Sequence, residues 1–322
     1  MNRLSINVIN VIVKITLLFL FLFLMNNSIS ASSYLDKKID SLFVISSSGE
    51  LKYRDRVEPA IEALANLGID AVPRLIDKFT TRSARERLTI INILKKIGSP
   101  AVPDLILALS RPEKLVVLRV CRALGDIKDS SAVKPLINVS GHPSWQVREK
   151  AVDALGKIND NQADQTVIAA LSDSVGQVRK AAVVASGRLK INEAIEKLIH
   201  ILADNFYGAR MSAIEVLTKL DTTRVIRSIA DSLNSANGLT GDLSCQVLGK
   251  LNHGDAHDLL IKQAASESAS RRAQAAVALI LSDPLDNCSV RQSIIDKETD
   301  RLVLLKINSA IDLVSLISNE QK

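Results

Sequence analysis

Apolar residues recur at helical spacing along this chain, and the same arrangement returns every 30 or 31 residues. After Ser144, one helical face is apolar and comprises Val147, Ala151, Val152, Ala154, Leu155 and Ile158. The polar turn 159–161 follows, and a second apolar run from Ala163 to Leu171 predicts a second helix. No segment alternates apolar and polar residues over a useful length. The pattern therefore predicts helix pairs and no sheet.

One position of this pattern can be followed through eight units. It is occupied by Ala65, Lys95, Gly125, Gly156, Gly187, Thr218, Gly249 and Ile280. A fixed period of this size indicates a stack of small units, each of which buries its apolar face against its neighbours. We predict an all-α, right-handed α-solenoid of about eight helix pairs with capping helices. Gly156 lies near a predicted helix end, which fits either termination of the helix or close approach of a neighbouring backbone.

The units resemble HEAT-like repeats of the bilin-lyase type. The resemblance is carried by Val147-Arg148 with 154–156, by 123–127 with 132–137, and by 101–106. It covers residues 51 to about 282 and implies stacked helix pairs, a scaffold on which many unrelated functions occur. The lyase branch also implies pigment chemistry in the cytosol. That conflicts with the export segment described below, so only the fold is carried over.

Four segments follow from these patterns. Residues 1–30 form a signal peptide or N-terminal membrane anchor, 31–50 an N-terminal capping helix and turn, 51–283 the HEAT-like repeat array, and 284–322 an irregular segment with a C-terminal capping helix. The first capping helix has the apolar residues Leu35, Ile39, Leu42 and Phe43. The last has Leu302, Leu305, Ile307, Ile311, Leu313 and Ile317. Caps are expected because terminal units of a solenoid lack one neighbour.

Residues 1–30 have the features of a secretory signal. Arg3 and Lys14 supply positive charge, 15–25 is an uninterrupted run of 11 apolar or weakly polar residues, and small residues precede Ala31, where we expect cleavage. The run is short for a membrane span, which needs about 20 residues, so an uncleaved anchor is the alternative. We therefore predict an exported protein, periplasmic or secreted, or else one anchored in the membrane and facing the periplasm.

Charge and motifs argue against several classes of function. The formal net charge of +6 would fall to +4 on loss of Arg3 and Lys14. A nucleic-acid binder of this size usually carries a denser basic stripe, so we predict no nucleic-acid partner. The sequence holds no Gly-rich phosphate loop, no Gly-x-Ser-x-Gly elbow and no Cys-x-x-Cys pair. We accordingly predict no catalytic residue and no cofactor.

His253 and His257 come nearest to a metal site. Two histidines four residues apart can share a helix face, but the repeat places His253 in a turn and His257 just inside the second helix. The paired His-Glu steps of HEAT-like di-iron hydroxylases are absent, since no histidine here is followed by Glu. We predict no metal site and keep these two as weak candidates. The alternative function is a metal-dependent or cofactor-modifying enzyme, hydroxylase- or lyase-like, on the same scaffold.

The three cysteines do not predict a disulfide framework. Cys121 and Cys245 occupy a position that is aliphatic in other units, and they lie four repeats apart. With helix layers about 8–10 Å apart, their separation is on the order of 35–40 Å, beyond the reach of a disulfide. Cys288, in an irregular segment, is the candidate for an exposed thiol.

Arginines recur at one position of the first helix. They are Arg148, Arg179, Arg210 and, in the eighth unit, Arg272. They could bind anions as a ladder. We favour a structural interpretation, in which Asp173 and Asp204 lie between stacked arginines, form ion pairs and cap helix starts.

Two features could bind a partner. A row on the second helices comprises Ala108, Val139, Ala170 and Ile201, with Leu107 beside the first. This row lines the concave surface as an apolar strip or is tucked under neighbouring helices. Trp145 and Tyr207 share a repeat position two units apart, and they are either contact anchors or staples of their helix starts.

We therefore predict an exported protein-binding scaffold that presents its concave surface to a protein or peptide partner. The predicted contacts are Leu107, Val139, Ile201, Trp145 and Tyr207. The sequence makes no prediction of the oligomeric state.

Overall fold

The computed structural model of the chain describes residues 33–233, 238–282 and 288–320. The predicted signal segment and the irregular segment at Pro284 lie outside these ranges. Within them, all regular structure is α-helix or short 3-10 helix, with no strand. Consecutive helices pack on one another in chain order, which confirms the all-α solenoid. No helix in the described ranges is long and apolar enough to cross a membrane.

The chain divides into two compact units, Met1–Arg111 and Pro112–Lys322. The described part of the first unit begins with helix α1 at 33–46. Its other α-helices are α2 (Val57–Asn66), α3 (Val72–Asp77), α4 (Ala84–Ile97) and α5 (Val102–Ala108). Short 3-10 helices join them at Leu51–Arg56, Gly68–Ala71, Lys78–Thr80 and Ser99–Ala101.

The second unit contains the larger part of the repeat array. Its first helices are α6 (Lys114–Ile127), α8 (Trp145–Ile158), α10 (Gly176–Leu189), α12 (Tyr207–Leu217), α14 (Gly238–Leu251), α16 (Ala269–Ser282) and α18 (Arg301–Glu320). Its second helices are α7 (Val133–Val139), α9 (Asp164–Ala170), α11 (Ile195–Ile201), α13 (Thr222–Leu233), α15 (Gly254–Gln263) and α17 (Cys288–Lys297). Each first helix packs against the next first helix along the chain.

The turns between paired helices have a common construction. Helices α6, α8 and α10 each end at a residue in the left-handed conformation, with φ of 65° at Lys128, 62° at Asn159 and 55° at Lys190. This conformation reverses the chain at a helix end. A 3-10 turn follows, and the alanine that closes it is fully buried, as at Ala132 and Ala163.

The glycine at position 156 of α8 has a steric explanation. Helix α8 continues past this residue to Ile158, so termination does not explain the glycine. A Cβ placed on Gly156 would lie 2.7 Å from Cβ and 2.8 Å from Cα of Ala185 in α10. Gly125 faces Ala154 in the same way, with 2.8 Å to its Cα. The close-approach explanation is therefore the correct one.

The described chain begins with α1 and ends with α18, the two helices predicted as caps. Helix α1 buries Ile39 and Phe43. Helix α18 buries Val303, Ile307 and Ala310 against α16. The predicted stripe of α18 was wrong in part, because its residues Leu302, Leu305 and Leu313 are exposed. The helix has apolar residues on two faces, and α16 covers one of them.

Candidate protein-binding surface

An ion-pair ladder joins successive first helices near their N-terminal ends. Arg148 of α8 binds Asp173 in a bidentate pair, with Nε donating to Oδ2 at 2.7 Å and Nη2 to Oδ1 at 2.8 Å. Arg179 of α10 binds Asp204 in the same way, at 2.5 and 2.7 Å. Each aspartate precedes the next first helix, so every pair spans one layer of the stack. The structural interpretation of these arginines is supported by this geometry.

Each arginine of the ladder also holds its own turn. Nη1 of Arg179 donates to the carbonyl of Asp173, six residues earlier, at 2.7 Å. Nη1 of Arg210 donates to the carbonyl of Asp204 at 2.5 Å. The aspartates accept a backbone N–H two residues on, such as Val175 at 2.8 Å. The aspartates therefore close the turn before the helix. The prediction that Asp173 caps the start of α10 was wrong, because the N-cap residue of α10 is Val175.

The charges of the ladder are mutually stabilised. Hydrogen bonds from the Arg148 guanidinium lower the pKa of Asp173 below its ordinary value, against the opposing effect of burial. For Asp204, burial raises the pKa, but the hydrogen bonds from Arg179 and from the backbone N–H of Phe206 outweigh it and leave the pKa lowered. These carboxylates stay ionised at neutral pH and neutralise the arginines, which argues against a free anion-binding ladder.

The eighth-unit arginine has a partner that the sequence analysis missed. Arg272 forms a bidentate pair with Glu298, at 2.8 and 3.1 Å, and its Nη1 donates to the carbonyl of Ser266. The acid lies 26 residues after the arginine, whereas Asp173 lies 25 residues after Arg148. An acid therefore lies 25 or 26 residues after Arg148, Arg179 and Arg272.

Aromatic residues follow the ladder along the same edge. Trp145, Gly176 and Tyr207 are the first residues of α8, α10 and α12, as the repeat spacing indicates. Trp145 is half-buried, and the side chain of Phe206 packs over Gly176, where a Cβ would overlap the Phe206 ring. We call Trp145, Phe206 and Tyr207 the aromatic edge. Phe206 was not among the predicted contacts.

Tyr207 is the exposed member of the aromatic edge. Its side chain is 64% exposed, and the Arg210 guanidinium lies over the ring, 5.4 Å from its centroid. Met211, one turn further along α12, is also exposed. Since Arg210 is bonded to the backbone at Asp204, the ring rests on a fixed cation. The result is a positioned, amphipathic patch on the surface of the second unit.

The row on the second helices does not form an exposed apolar strip, and the alternative of burial under neighbouring helices holds for Ala108 and Ile201. Ile201 is 6% exposed and Ala108 is also buried, while Val139 is half-buried. The exposed position of these helices is one residue earlier, at Leu107, Asn138, Ala169 and His200. One residue turns a helix by about 100°, so Ile201 and Ala108 point inward, and the outward position holds two apolar residues and two polar ones. Leu107, in the first unit, remains exposed.

The two histidines do not form a metal site in the described ranges. His253 is exposed and is the N-cap of α15, where its Nδ1 accepts the N–H of Asp255 at 3.2 Å. His257 lies inside α15 and is half-buried, and its Nε2 has no hydrogen-bond partner there. No group of three His, Cys, Asp or Glu side chains capable of holding an ion occurs among the described residues. This arrangement adds no support to the alternative of a metal-dependent enzyme.

The two cysteines of the repeat positions are free and buried. Burial raises the pKa of both Cys121 and Cys245 to about 12, so neither thiol is a nucleophile at neutral pH. The side chain of Cys288 lies outside the described residues.

Stacked helix pairs, close glycine contacts between first helices and an inter-layer ion-pair ladder together define an α-solenoid repeat protein. The sequence model of HEAT repeats matches residues 102–187. Over these residues the chain consists of HEAT-like repeats, as its sequence pattern indicated.

Several solved structures are similar to this chain. Human deoxyhypusine hydroxylase in complex with glycerol has 19% identity, covers 88% of this chain and 98% of its own, and has a TM-score of 0.30. The CpcE–CpcF complex of phycocyanin lyase from Nostoc has 18% identity, coverages of 76% and 94%, and a TM-score of 0.39. Escherichia coli YibA has 17% identity, coverages of 82% and 98%, and a TM-score of 0.48.

These similarities concern the fold alone, because identities and TM-scores are low. No curated protein sequence matches the chain.

Proposed function

We propose that this protein is an exported protein-binding scaffold and that the aromatic edge of its second unit contacts a protein or peptide partner. The observation that carries the proposal is the exposed Tyr207 ring, held in place by Arg210. A rigid aromatic side chain loses little conformational entropy on binding and contributes a large contact area. Such residues are typical anchors of protein interfaces.

The charges beside Tyr207 indicate the chemistry of the partner. Among the described residues, no carboxylate lies within 4 Å of Arg210 as an ion pair, since the Asp204 carboxylate is bonded to Arg179. Arg210 therefore has capacity for an acceptor from outside. We propose a partner segment that sets an apolar side chain against Tyr207 and Met211 and a carboxylate or carbonyl group beside Arg210.

Two further features belong to the proposal. Export rests on the charge, apolar run and small residues of 1–30, and the mild net charge agrees with a protein rather than a nucleic-acid partner.

Leu107, exposed on α5, is a second proposed contact, in the first unit. Val139 is a weaker candidate for a contact because it is half-buried. Ile201 is no longer proposed as a contact, because its side chain is buried.

Site-specific photo-crosslinking in intact cells tests this function. A photoreactive phenylalanine analogue replaces Tyr207 in one strain and Trp145 in another. The control replaces Glu215, which is exposed on the same helix but lies about 12 Å further along it and about 80° around it from Tyr207. We expect a discrete crosslinked protein from positions 207 and 145 and none from 215.

The same sample tests export, because mass spectrometry of the purified chain reports its first residue, which we expect to be Ala31. The binding proposal is overturned if position 207 yields no crosslink or if position 215 yields the same products. Export is overturned if the chain is recovered from the cytosol with residues 1–30 intact.

A further inference from the structure

The last helix, α18, carries an apolar stripe that no described residue covers. Leu302, Leu305, Leu313 and Leu316 are between 49% and 71% exposed. At about 100° per residue, these four and Ser309 fall within about 80° of one another around the helix. We call these five residues the leucine stripe. It is distinct from the buried face of α18, which contains Val303, Ile307 and Ala310.

The leucine stripe continues onto the neighbouring first helix. A groove between α16 and α18 is lined by Val277 and Leu281 on one side and by Leu305 and Leu313 on the other. Leu281 is itself 47% exposed. An aliphatic surface shared by two helices is larger than the scattered single residues that are normal on a protein surface.

The same face is charged in the preceding units. The position of Leu281 is held by Asp126, Lys157, Arg188, Lys219 and Lys250 in the five earlier repeats. In α6, α8 and α10 these residues form ion pairs across the layers, with 2.8 Å between Lys157 and Asp126 and 2.7 Å between Arg188 and Asp153. Val277 stands at the position of Asp153. The face therefore changes from ion pairs to aliphatic residues where the array ends, which is the composition of a surface that becomes buried.

The spacing of the leucine stripe is symmetric about Ser309. Leu302 and Leu316 lie seven residues to either side of it, and Leu305 and Leu313 lie four residues to either side. If two such helices pack antiparallel with Ser309 facing Ser309, Leu302 of one copy lies level with Leu316 of the other, and Leu305 lies level with Leu313. A twofold interface requires this self-complementarity, in which residue i meets j and j meets i.

We infer that the leucine stripe is the interface of a homodimer, in which α18 of two copies of this chain pack antiparallel about a twofold axis at Ser309. The small serine permits close approach of the two backbones at the centre. Its hydroxyl already donates to the carbonyl of Leu305 at 2.9 Å, so burial leaves no donor unsatisfied. Lys306 and Asp312 flank the stripe and supply a polar rim.

The size of the surface agrees with a modest dimer. A helix of 20 residues is about 30 Å long, so two such helices make contact over about four or five turns. Together with Leu281 and Val277, the stripe offers several hundred Å² per copy, compared with about 800 Å² per partner in a standard interface. We therefore expect a dimer that dissociates on dilution. This inference is independent of the proposed partner at the aromatic edge.

Cysteine crosslinking of the full chain tests the twofold axis. Ser309→Cys and Ser315→Cys are each made with Cys288→Ser, so that Cys121 and Cys245, both buried, are the other thiols. Ser315 is the matched control because it is exposed on α18 and its hydroxyl also donates to a carbonyl four residues earlier, but it lies about 120° away around the helix. We expect mild oxidation to give a disulfide-linked dimer with Ser309→Cys and a monomer with Ser315→Cys.

A second pair of variants tests the apolar contact itself. Leu305→Glu combined with Leu313→Glu places charges on exposed positions, so the helix content should be unchanged while light scattering shows a monomer. Leu115→Glu, at a similarly exposed leucine of α6, should remain a dimer. The inference is overturned if the wild-type chain is monomeric at all concentrations, if Ser315→Cys crosslinks as readily as Ser309→Cys, or if the double Glu variant still dimerises.

Discussion

At the scale of single residues, neighbouring first helices of the second unit approach one another closely where one of them carries glycine. Gly125 and Gly156 each face an alanine of the next first helix, and neither has a positive φ. Their role is therefore spatial, because a side chain would separate two helices that are also joined by nearby ion pairs, Lys157 with Asp126 and Arg188 with Asp153. Gly249 makes the same contact with Ala278, 2.9 Å from the Ala278 Cβ to a Cβ placed on the glycine.

Substitution of Gly156 by alanine should therefore destabilise the protein. Alanine favours helix by about 1 kcal/mol over glycine, but overpacking of a tight contact costs about 1–3 kcal/mol. Because the added Cβ would lie 2.8 Å from a backbone atom, the Cα of Ala185, we expect the upper part of this cost and a net loss of about 1–2 kcal/mol in the free energy of unfolding, measured by urea denaturation followed by circular dichroism. Gly254→Ala is the control, since no atom lies within 4 Å of a Cβ there, and its stability should be unchanged or slightly raised. A Gly156→Ala variant as stable as the wild type would contradict the close contact.

At the scale of elements, α1 is held to α3 by charge as well as by apolar contact. Asp40 accepts hydrogen bonds from Nε and Nη2 of Arg74, at 3.0 and 2.7 Å, and lies 2.6 Å from Nζ of Lys78. The hydrogen bonds from Arg74 are the main reason that the pKa of Asp40 is lowered to about 2. The terminal helix thus depends on an ionised carboxylate.

The docking of α1 should weaken in acid. Because the folded-state pKa of Asp40 lies below the unfolded value of 3.8, its stabilisation is complete above about pH 4 and is lost as the pH falls towards 2. We expect hydrogen-exchange protection factors in 33–46, corrected for intrinsic exchange rates, to decrease over this interval. Asp40→Asn should lower protection already at neutral pH, by about 1 kcal/mol since the pair is partly exposed, and should remove much of the pH dependence.

Asp36→Asn provides the comparison for this experiment, because Asp36 lies on α1 without an ion pair in the described ranges. Equal protection of 33–46 at pH 5 and pH 2 in the wild-type chain would show that Asp40 does not hold the helix.

At the scale of the whole molecule, the helical repeats of the chain are divided between two compact units. Each unit has its own fully buried leucines, such as Leu105 in the first and Leu155 in the second. In repeat proteins, stability arises from contacts within units and between nearest neighbours, and cooperative blocks often coincide with compact units. The two units should therefore lose structure separately.

Matched core substitutions test this independence. Leu105→Ala and Leu155→Ala each remove a fully buried side chain, which costs about 2–5 kcal/mol. Hydrogen exchange followed by mass spectrometry should show faster exchange mainly in the described part of 1–111 for Leu105→Ala and mainly in 112–322 for Leu155→Ala. Equal acceleration of both units by either variant would mean that the chain unfolds as one block.

Prediction from sequence succeeded for features that recur in every repeat, and it failed where the solvent exposure of a single side chain had to be known. The arginine ladder was predictable because Asp173 and Asp204 recur at a constant distance from their arginines. Glu298 was missed because its distance from Arg272 differs by one residue. Ile201 was misplaced because a shift of one position rotates a helical side chain from solvent into the core.

The sequence by itself determined the helix pairs, their order and the inner apolar stripes. They follow from the helical spacing of apolar residues and from the length of the repeat, and both are visible in the sequence itself. The tertiary structure alone decided which apolar positions are covered, because coverage depends on side chains far away in the sequence. It left Tyr207 exposed on a fixed cation, buried Ile201 and left a second face of α18 uncovered.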